Sequence, residues 1–237
     1  MPALASAAAY AGAAAFLVAA VWYALIVAEI TVASEPQPRP GQAREEWLHT
    51  YYAWFASTLR QERYYTGAAI VAFLSLMSTA AFVRNTLARR RPFASFGAQM
   101  MGAGAIVWVV GAVVSIGGHR AVGLMTGRGD PIETVNSIAW TIDTINDAFE
   151  LAGSALLGAG MLALAWAGTQ ARSRARAWSR YTLTVGLVLL ATAGAYAAQS
   201  FDLVDLLLVT GGTVLLPSWL VWTGRLLRGP TEAPTPE

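Results

Sequence analysis

The sequence contains no cysteine, no lysine and only two histidines among its 237 residues. The absence of cysteine excludes disulfides, thiolate metal sites and cysteine nucleophiles. The absence of lysine excludes retinal proteins and aldolases that form a Schiff base with a lysine amine. Charged residues of every kind are scarce, at 13% of the chain, whereas soluble proteins have about 25%. A soluble protein is therefore not expected.

Hydrophobic residues are abundant and make up 56% of the chain. A helix needs about 20 mostly apolar residues to cross the ~30 Å hydrocarbon core of a bilayer. The sequence predicts one membrane domain, residues 1–228, with an all-α fold: a polytopic membrane helix bundle of six transmembrane helices. The predicted spans are about 8–32, 66–83, 96–116, 148–167, 181–198 and 203–227.

A short amphipathic helix is predicted at about 43–60, between the first two spans. Trp47, Tyr51 and Trp54 form one helical stripe there, and such rings settle at the membrane–water interface. Gly117 and Gly118 are expected to begin a loop after the third span. The tail 229–237 is rich in proline and polar residues and is predicted to be disordered.

Arginine clusters follow the second, fourth and sixth predicted spans and hold ten of the sixteen arginines. Arginine is retained on the cytoplasmic side of a membrane, so both termini are predicted to be cytoplasmic. The use of arginine alone, with abundant alanine and glycine, is typical of bacterial genomes of high GC content, which indicates a bacterial plasma membrane. The clusters are short and juxtamembrane, so no nucleic-acid partner is expected.

The sequence predicts one continuous helix over 132–168, which includes the fourth predicted span, and acidic residues form a stripe along it. Asn136, Asp143, Asp147 and Glu150 fall within about 60° of one another on one helix face. Carboxylates at membrane depth are costly unless they meet water or cations. The stripe, joined by Glu29 at the end of the first span, predicts an outward-facing acidic cavity that binds or transports a cation or small cationic solute.

The same stripe also fits a solvated half-helix outside the membrane. Its carboxylates would then pair with arginines near the outer ends of the helices. The candidates are Arg60, Arg63 and Arg120. This alternative applies to Asp143 more than to Glu150, which lies deepest in the predicted span.

The two histidines, His49 and His119, are both predicted on the outer side. Glu45 precedes His49 by four residues, so the two share a helix face. With His119 and an acid of the fourth helix they would offer a nitrogen and oxygen ligand set that suits a divalent metal such as Zn²⁺, Mn²⁺ or Fe²⁺. Haem ligation and ordinary polar surface are the alternatives.

Two segments resemble a known family: Glu150–Met161 (ELAGSALLGAGM) and Leu216–Arg228 (LPSWLVWTGRLLR). They are similar to segments of an uncharacterised family of bacterial six-span membrane proteins. The resemblance implies a six-helix fold and carries no activity and no functional residues.

Three classes of function remain open. The first is the cation-binding or transporting protein already described. The second is an intramembrane enzyme acting on a lipid or isoprenoid, in which Asp143, Asp147 and Glu150 would supply acid–base catalysis. The third is an accessory or structural subunit, whose partners beyond the lipid bilayer would be further copies of the chain or a larger membrane complex.

Overall fold

The computed structural model describes residues 2–28, 30, 36–87, 92–169 and 173–228. Seven α-helices account for nearly all of them. In chain order they are α1 (Pro2–Val27), α2 (Arg44–Leu87), α3 (Pro92–Arg128), α4 (Ile132–Thr169), α5 (Ser173–Ala197), α6 (Phe201–Thr210) and α7 (Leu216–Arg228), with a π-helical turn at Gly211–Leu215 between the last two.

Helices that are consecutive in the chain pack against each other from α1 to α6, and α7 returns to pack against α1. Because the connections between most of these helices are short, neighbours run antiparallel. The bundle therefore closes on itself, with α6, the π turn and α7 forming the last wall.

Five helical segments in the described part of the chain are long and apolar enough to cross a membrane. They are Ala3–Ile26, Tyr64–Asn85, Pro92–Arg128, Ile132–Gly168 and Phe201–Arg228. The predicted fifth span, 181–198, coincides with a helix, α5, that is not among them. Its first third carries arginines and threonine recurs along it, which lowers its apolar character. The membrane-protein class is thus supported, whereas the count of six spans is not confirmed.

Two of the long helices, α2 and α3, extend further than the predicted elements. The predicted interfacial helix 43–60 is not a separate element, because α2 runs without a break from Arg44 to Leu87. No proline or glycine lies between Arg44 and Gly67, so nothing local ends the helix there. The loop predicted from Gly117 is also wrong in extent, because α3 continues to Arg128. The prediction of one continuous helix over 132–168 is confirmed by α4.

The main core joins the membrane-length helices, and its closest contact is between α3 and α4. A methyl group at Gly97 would lie 2.6 Å from the carbonyl oxygen of Gly160, and one at Gly160 would lie 2.7 Å from the carbonyl oxygen of Gly97. Small residues allow two backbones this close.

A second apolar cluster joins α2, α3 and α4 at one end, here called the three-helix end (44–63, 117–128 and 132–145). Its buried residues are Leu48, Tyr52, Val122, Ile132, Val135 and Ala139. The first turns of α2 pack beside α3 and α4 because the apolar face of α2 is buried in this cluster.

The last wall contains the π turn, which lies just before Pro217. Leu216 donates its backbone N–H to the carbonyl of Gly211, five residues back. A proline ring collides with the carbonyl four residues before it in a regular helix. The wider turn relieves that collision, so the helix continues past Pro217 with a π turn in place of a break.

Candidate functional site

A cavity of about 330 Å³ lies inside the bundle, and every helix contributes to its wall. Most of its lining is apolar, with Phe16, Phe73, Leu189 and Leu216 among the larger side chains. Along α5 the wall runs from Val185 to Tyr196, about 16 Å at 1.5 Å per residue. The volume is at the lower end of the range for small-molecule sites, roughly 300–1,000 Å³.

Glu150 is the most strongly held carboxylate in this wall. Asn146, one turn earlier on α4, donates its Nδ2 to Oε1 of Glu150 at 2.8 Å. Tyr196 on α5 donates its hydroxyl to Oε2 of the same carboxylate. Both oxygens therefore accept a bond from a fixed neighbour, so the carboxylate is oriented by two helices.

Asp205, on α6, is the second carboxylate of the wall. Tyr23 on α1 donates its hydroxyl to Oδ1 of Asp205 at 2.6 Å. The ring of Tyr23 in turn meets the edge of the Tyr65 ring on α2, with centroids 5.5 Å apart. Two carboxylates, each bonded to a tyrosine hydroxyl, thus face one cavity from different helices.

Asp147 adds a third carboxylate, half-buried beside Glu150 on α4. Residues 146, 147 and 150 all reach the cavity because Glu150 lies four positions after Asn146 and three after Asp147, spacings that share a helix face. Asp147 and Asp205 are both near enough to act electrostatically on Glu150. These three carboxylates, with Asn146 and the tyrosines at 23, 65 and 196, are called the acidic end of the cavity.

No arginine or histidine lines the cavity among the residues whose side chains the structure describes. Arg120, an alternative partner in the sequence, is exposed on α3, and the side chains of Arg60 and Arg63 lie outside the described set. Within the described part of the molecule, the carboxylates of the acidic end therefore have no protein cation beside them.

The outer half of the predicted stripe belongs to the three-helix end and not to the cavity. Asn136 accepts a hydrogen bond from the Tyr52 hydroxyl at 2.7 Å, joining α4 to α2. Asp143, with 58% of its side chain exposed, lies 3.1 Å from Nε2 of His119 on α3. Burial, together with the nearby charge of Asp143, raises the pKa of Tyr52 above its usual 10.0. These contacts join α2, α3 and α4, and they do not involve the carboxylates that line the cavity.

Nδ1 of His119 also lies 3.4 Å from the Ser115 hydroxyl, which completes a Ser–His–Asp chain. A hydrolase of that type needs backbone N–H donors for an oxyanion. Ser115 and His119 lie inside a continuous helix, where backbone N–H groups are already bonded. The chain is therefore best understood as a link between α3 and α4.

The residues proposed for a metal site are not brought together. His49 and Glu45 are exposed on the first turns of α2, whereas His119 faces Asp143. Across the described ranges, no three histidine or carboxylate side chains lie where they could hold one metal ion. Glu29, the remaining predicted site residue, lies outside the described residues.

Five residues of the acidic end were not predicted as site residues: Asn146, Asp205 and the tyrosines at 23, 65 and 196. Asp205 lies about one turn from Phe201, where α6 begins, and stabilisation by the helix dipole is a sufficient local explanation for an acid there. The tyrosines lie near helix ends, where aromatic rings are ordinary. The position of Tyr23 and Tyr196 near the C-terminal ends of α1 and α5 was the one usable signal.

Comparison with protein-family models, with curated proteins and with solved structures gave no match. The resemblance of Glu150–Met161 and Leu216–Arg228 to a six-span family therefore remains a prediction. The function has to be inferred from the geometry of the cavity.

Proposed function

We propose that the chain is a six-span protein of a bacterial plasma membrane that binds or transports a cation or small cationic solute. The observation that carries the proposal is the convergence of Glu150, Asp147 and Asp205 on one cavity with no described protein cation beside them. Carboxylates at membrane depth are rare and are usually paired or placed on a substrate or ion pathway. A cationic ligand would supply the missing positive charge.

The membrane setting is supported by the outer surface of the bundle. Large apolar side chains are exposed on every membrane-length helix, among them Leu17, Val71, Ile106, Trp166 and Leu206. A soluble monomer rarely exposes so much contiguous apolar surface. Lipid chains cover such a surface at little cost, since they are equally apolar.

The sixth span of the proposal is α5. It lines the cavity beside membrane-length helices and ends at the level of the acidic end, where Tyr196 contacts Glu150. Its apolar residues Leu183 and Leu187 are exposed, as expected of a lipid-facing stripe. Its threonines carry their own hydrogen bonds, since Thr182 and Thr192 donate to the carbonyls four residues back, which lowers the cost of burying them.

The proposed orientation places the acidic end toward the outside. Arg84, Arg176, Arg225 and Arg228 then lie at the opposite end of the bundle, in the cytoplasm with both termini. The cavity would be reached from outside, where the negative charge of its entrance attracts cations.

Uptake into proteoliposomes tests the proposal. We expect saturable entry of radiolabelled methylammonium, lost in Glu150→Gln and retained in Asp202→Asn. Asp202 is the matched control because it lies exposed on the same helix as Asp205 and does not line the cavity. Equilibrium binding of the same cation is measured in parallel, so that a protein that binds without transporting is also detected. If the protein shows no uptake and no binding above the level of protein-free vesicles, the proposal is refuted.

A further inference from the structure

We infer that the ligand of the cavity is an organic ammonium ion with an apolar body, its charged head at the acidic end and its body against Phe16, Phe73 and Leu189. This inference rests on the proposed function and names its substrate class. Three observations carry it: the spacing of the carboxylates, the apolar remainder of the cavity, and the tyrosine rings.

The spacing of the carboxylates argues against a bare inorganic ion as the fitted ligand. Metal ions bind when several oxygen or nitrogen ligands surround one point at 2.0–2.6 Å. Among the described residues no three carboxylate or histidine side chains are gathered in this way, although Asp147 and Asp205 act electrostatically on Glu150. Carboxylates that share a cavity without sharing a centre suit a larger cation, whose charge is spread over a head group.

The apolar remainder of the cavity argues for a body attached to that head. Beyond the acidic end most of the wall consists of aliphatic and aromatic side chains, contributed by α1, α2, α3, α5, α6 and α7, with Thr192 as a polar exception. A hydrated cation gains nothing from such a wall, and a neutral lipid gains nothing from the carboxylates. Burial of each methylene group of a ligand contributes about 0.8 kcal/mol, so an amphipathic cation uses both parts of the cavity.

Tyrosine rings complete the acidic end. The rings of Tyr23 and Tyr65 lie edge to face, with 5.5 Å between their centroids. Tyr196, on α5, donates its hydroxyl to Glu150. Aromatic faces attract organic ammonium ions, and aromatic cages are a common way of recognising them. The cavity volume of about 330 Å³, at the lower end of the range for small-molecule sites, suits a short chain or a single ring system.

The inference is tested by binding to protein in phosphatidylcholine nanodiscs, with empty nanodiscs as the background for partitioning into lipid. The probes are octylammonium, the neutral isostere octanol, and methylammonium, which has the charge without the body. We expect octylammonium to bind at least tenfold more tightly than either of the others. Glu150→Gln and Asp205→Asn should each weaken octylammonium binding about tenfold or more, the usual effect of losing a charged partner, and Asp202→Asn should not.

A cavity-filling variant tests the body separately from the head. Ala69 lines the cavity from α2, so Ala69→Phe should abolish octylammonium binding and spare methylammonium binding. Ala81→Phe is the matched control, because Ala81 is exposed on the same helix. Thermal unfolding of each variant confirms that it is folded, and a variant that does not fold is replaced by Asp147→Asn for the head or Ala19→Phe for the body.

The outcomes separate the two proposals. Carboxylate-dependent binding of methylammonium equal to that of octylammonium would overturn this inference and leave the proposed function standing. Octanol binding as tightly as octylammonium, unaffected by Glu150→Gln, would overturn both, since the site would then be an apolar one. Absence of binding by all three probes would likewise overturn both.

Discussion

The Tyr196 hydroxyl donates a hydrogen bond to Oε2 of Glu150, so α5 and α4 meet at a carboxylate that faces the central cavity. The same carboxylate accepts a bond from Asn146 on its own helix. A carboxylate held from two sides has a fixed direction, which favours recognition of a ligand over adventitious contact. The contact is also a direct link between α5, which is not among the five apolar segments of membrane length, and the rest of the bundle.

Tyr196→Phe removes that link while keeping the ring. We expect a loss of about 1–3 kcal/mol in the free energy of unfolding, because a hydrogen bond to a charged acceptor is removed from a partly buried site. Octylammonium binding should weaken severalfold, because the carboxylate is no longer oriented. Thermal unfolding in detergent and binding in nanodiscs measure the two effects. Tyr64→Phe, at an exposed tyrosine of α2, is the control, and an equal change there would contradict the role assigned to the Tyr196 hydroxyl.

The acidic stripe of α4 should divide functionally between Asp143 and Asp147. Asp143→Asn should cost under about 1 kcal/mol in stability, since exposed ion pairs contribute little, and it should leave cation binding unchanged. Asp147→Asn should weaken cation binding severalfold because Asp147 lines the cavity. The binding constants of the two variants in one assay decide the matter. Equal losses in both would show that the stripe acts as one site.

The bond between Tyr52 and Asn136 predicts an alkaline weakness of the three-helix end. The pKa of Tyr52 is raised in the folded protein, so the unfolded chain loses this proton first as the pH rises. The contribution of Tyr52 to the free energy of unfolding is therefore constant below about pH 10, and it falls as the pH rises above the ordinary tyrosine pKa. Tyr52→Phe should remove part of this fall. Hydrogen exchange of residues 44–63 between pH 9 and 11 measures it, and identical pH dependence in wild type and variant would exclude Tyr52 as the cause.

The close contact of α3 and α4 predicts a strong difference between two glycines of α3. Gly97→Ala would place a methyl group 2.6 Å from the backbone oxygen of Gly160, so the helices must separate. We expect a loss of about 1–3 kcal/mol in stability, the usual cost of overpacking a core. Gly102→Ala meets no atom within 4 Å and should be neutral or slightly stabilising. Thermal unfolding compares them, and similar effects at both positions would argue against this contact.

The helical content and several boundaries follow directly from local sequence. The long helix predicted over 132–168 is present as α4, because no proline or glycine interrupts its first 21 residues. The boundary predicted between 60 and 66 in α2 is absent, because a change from polar to apolar composition ends a span but does not end a helix. Apolar composition decides where lipid can lie, whereas backbone hydrogen bonding decides where a helix stops.

The sequence by itself determined that the protein is helical, that apolar segments of membrane length recur, and that carboxylates gather on one face of α4. These properties depend on residues within a few turns of one another. The tertiary structure alone decided which carboxylates act together. Glu150 meets Tyr196, 46 residues away, and Asp205 meets Tyr23, 182 residues away. Asp143 and Glu150 share a helix face, yet the first contacts His119 of α3 and the second contacts Tyr196 of α5. Neighbouring helices, and not position on a stripe, therefore decide which acids belong to the cavity.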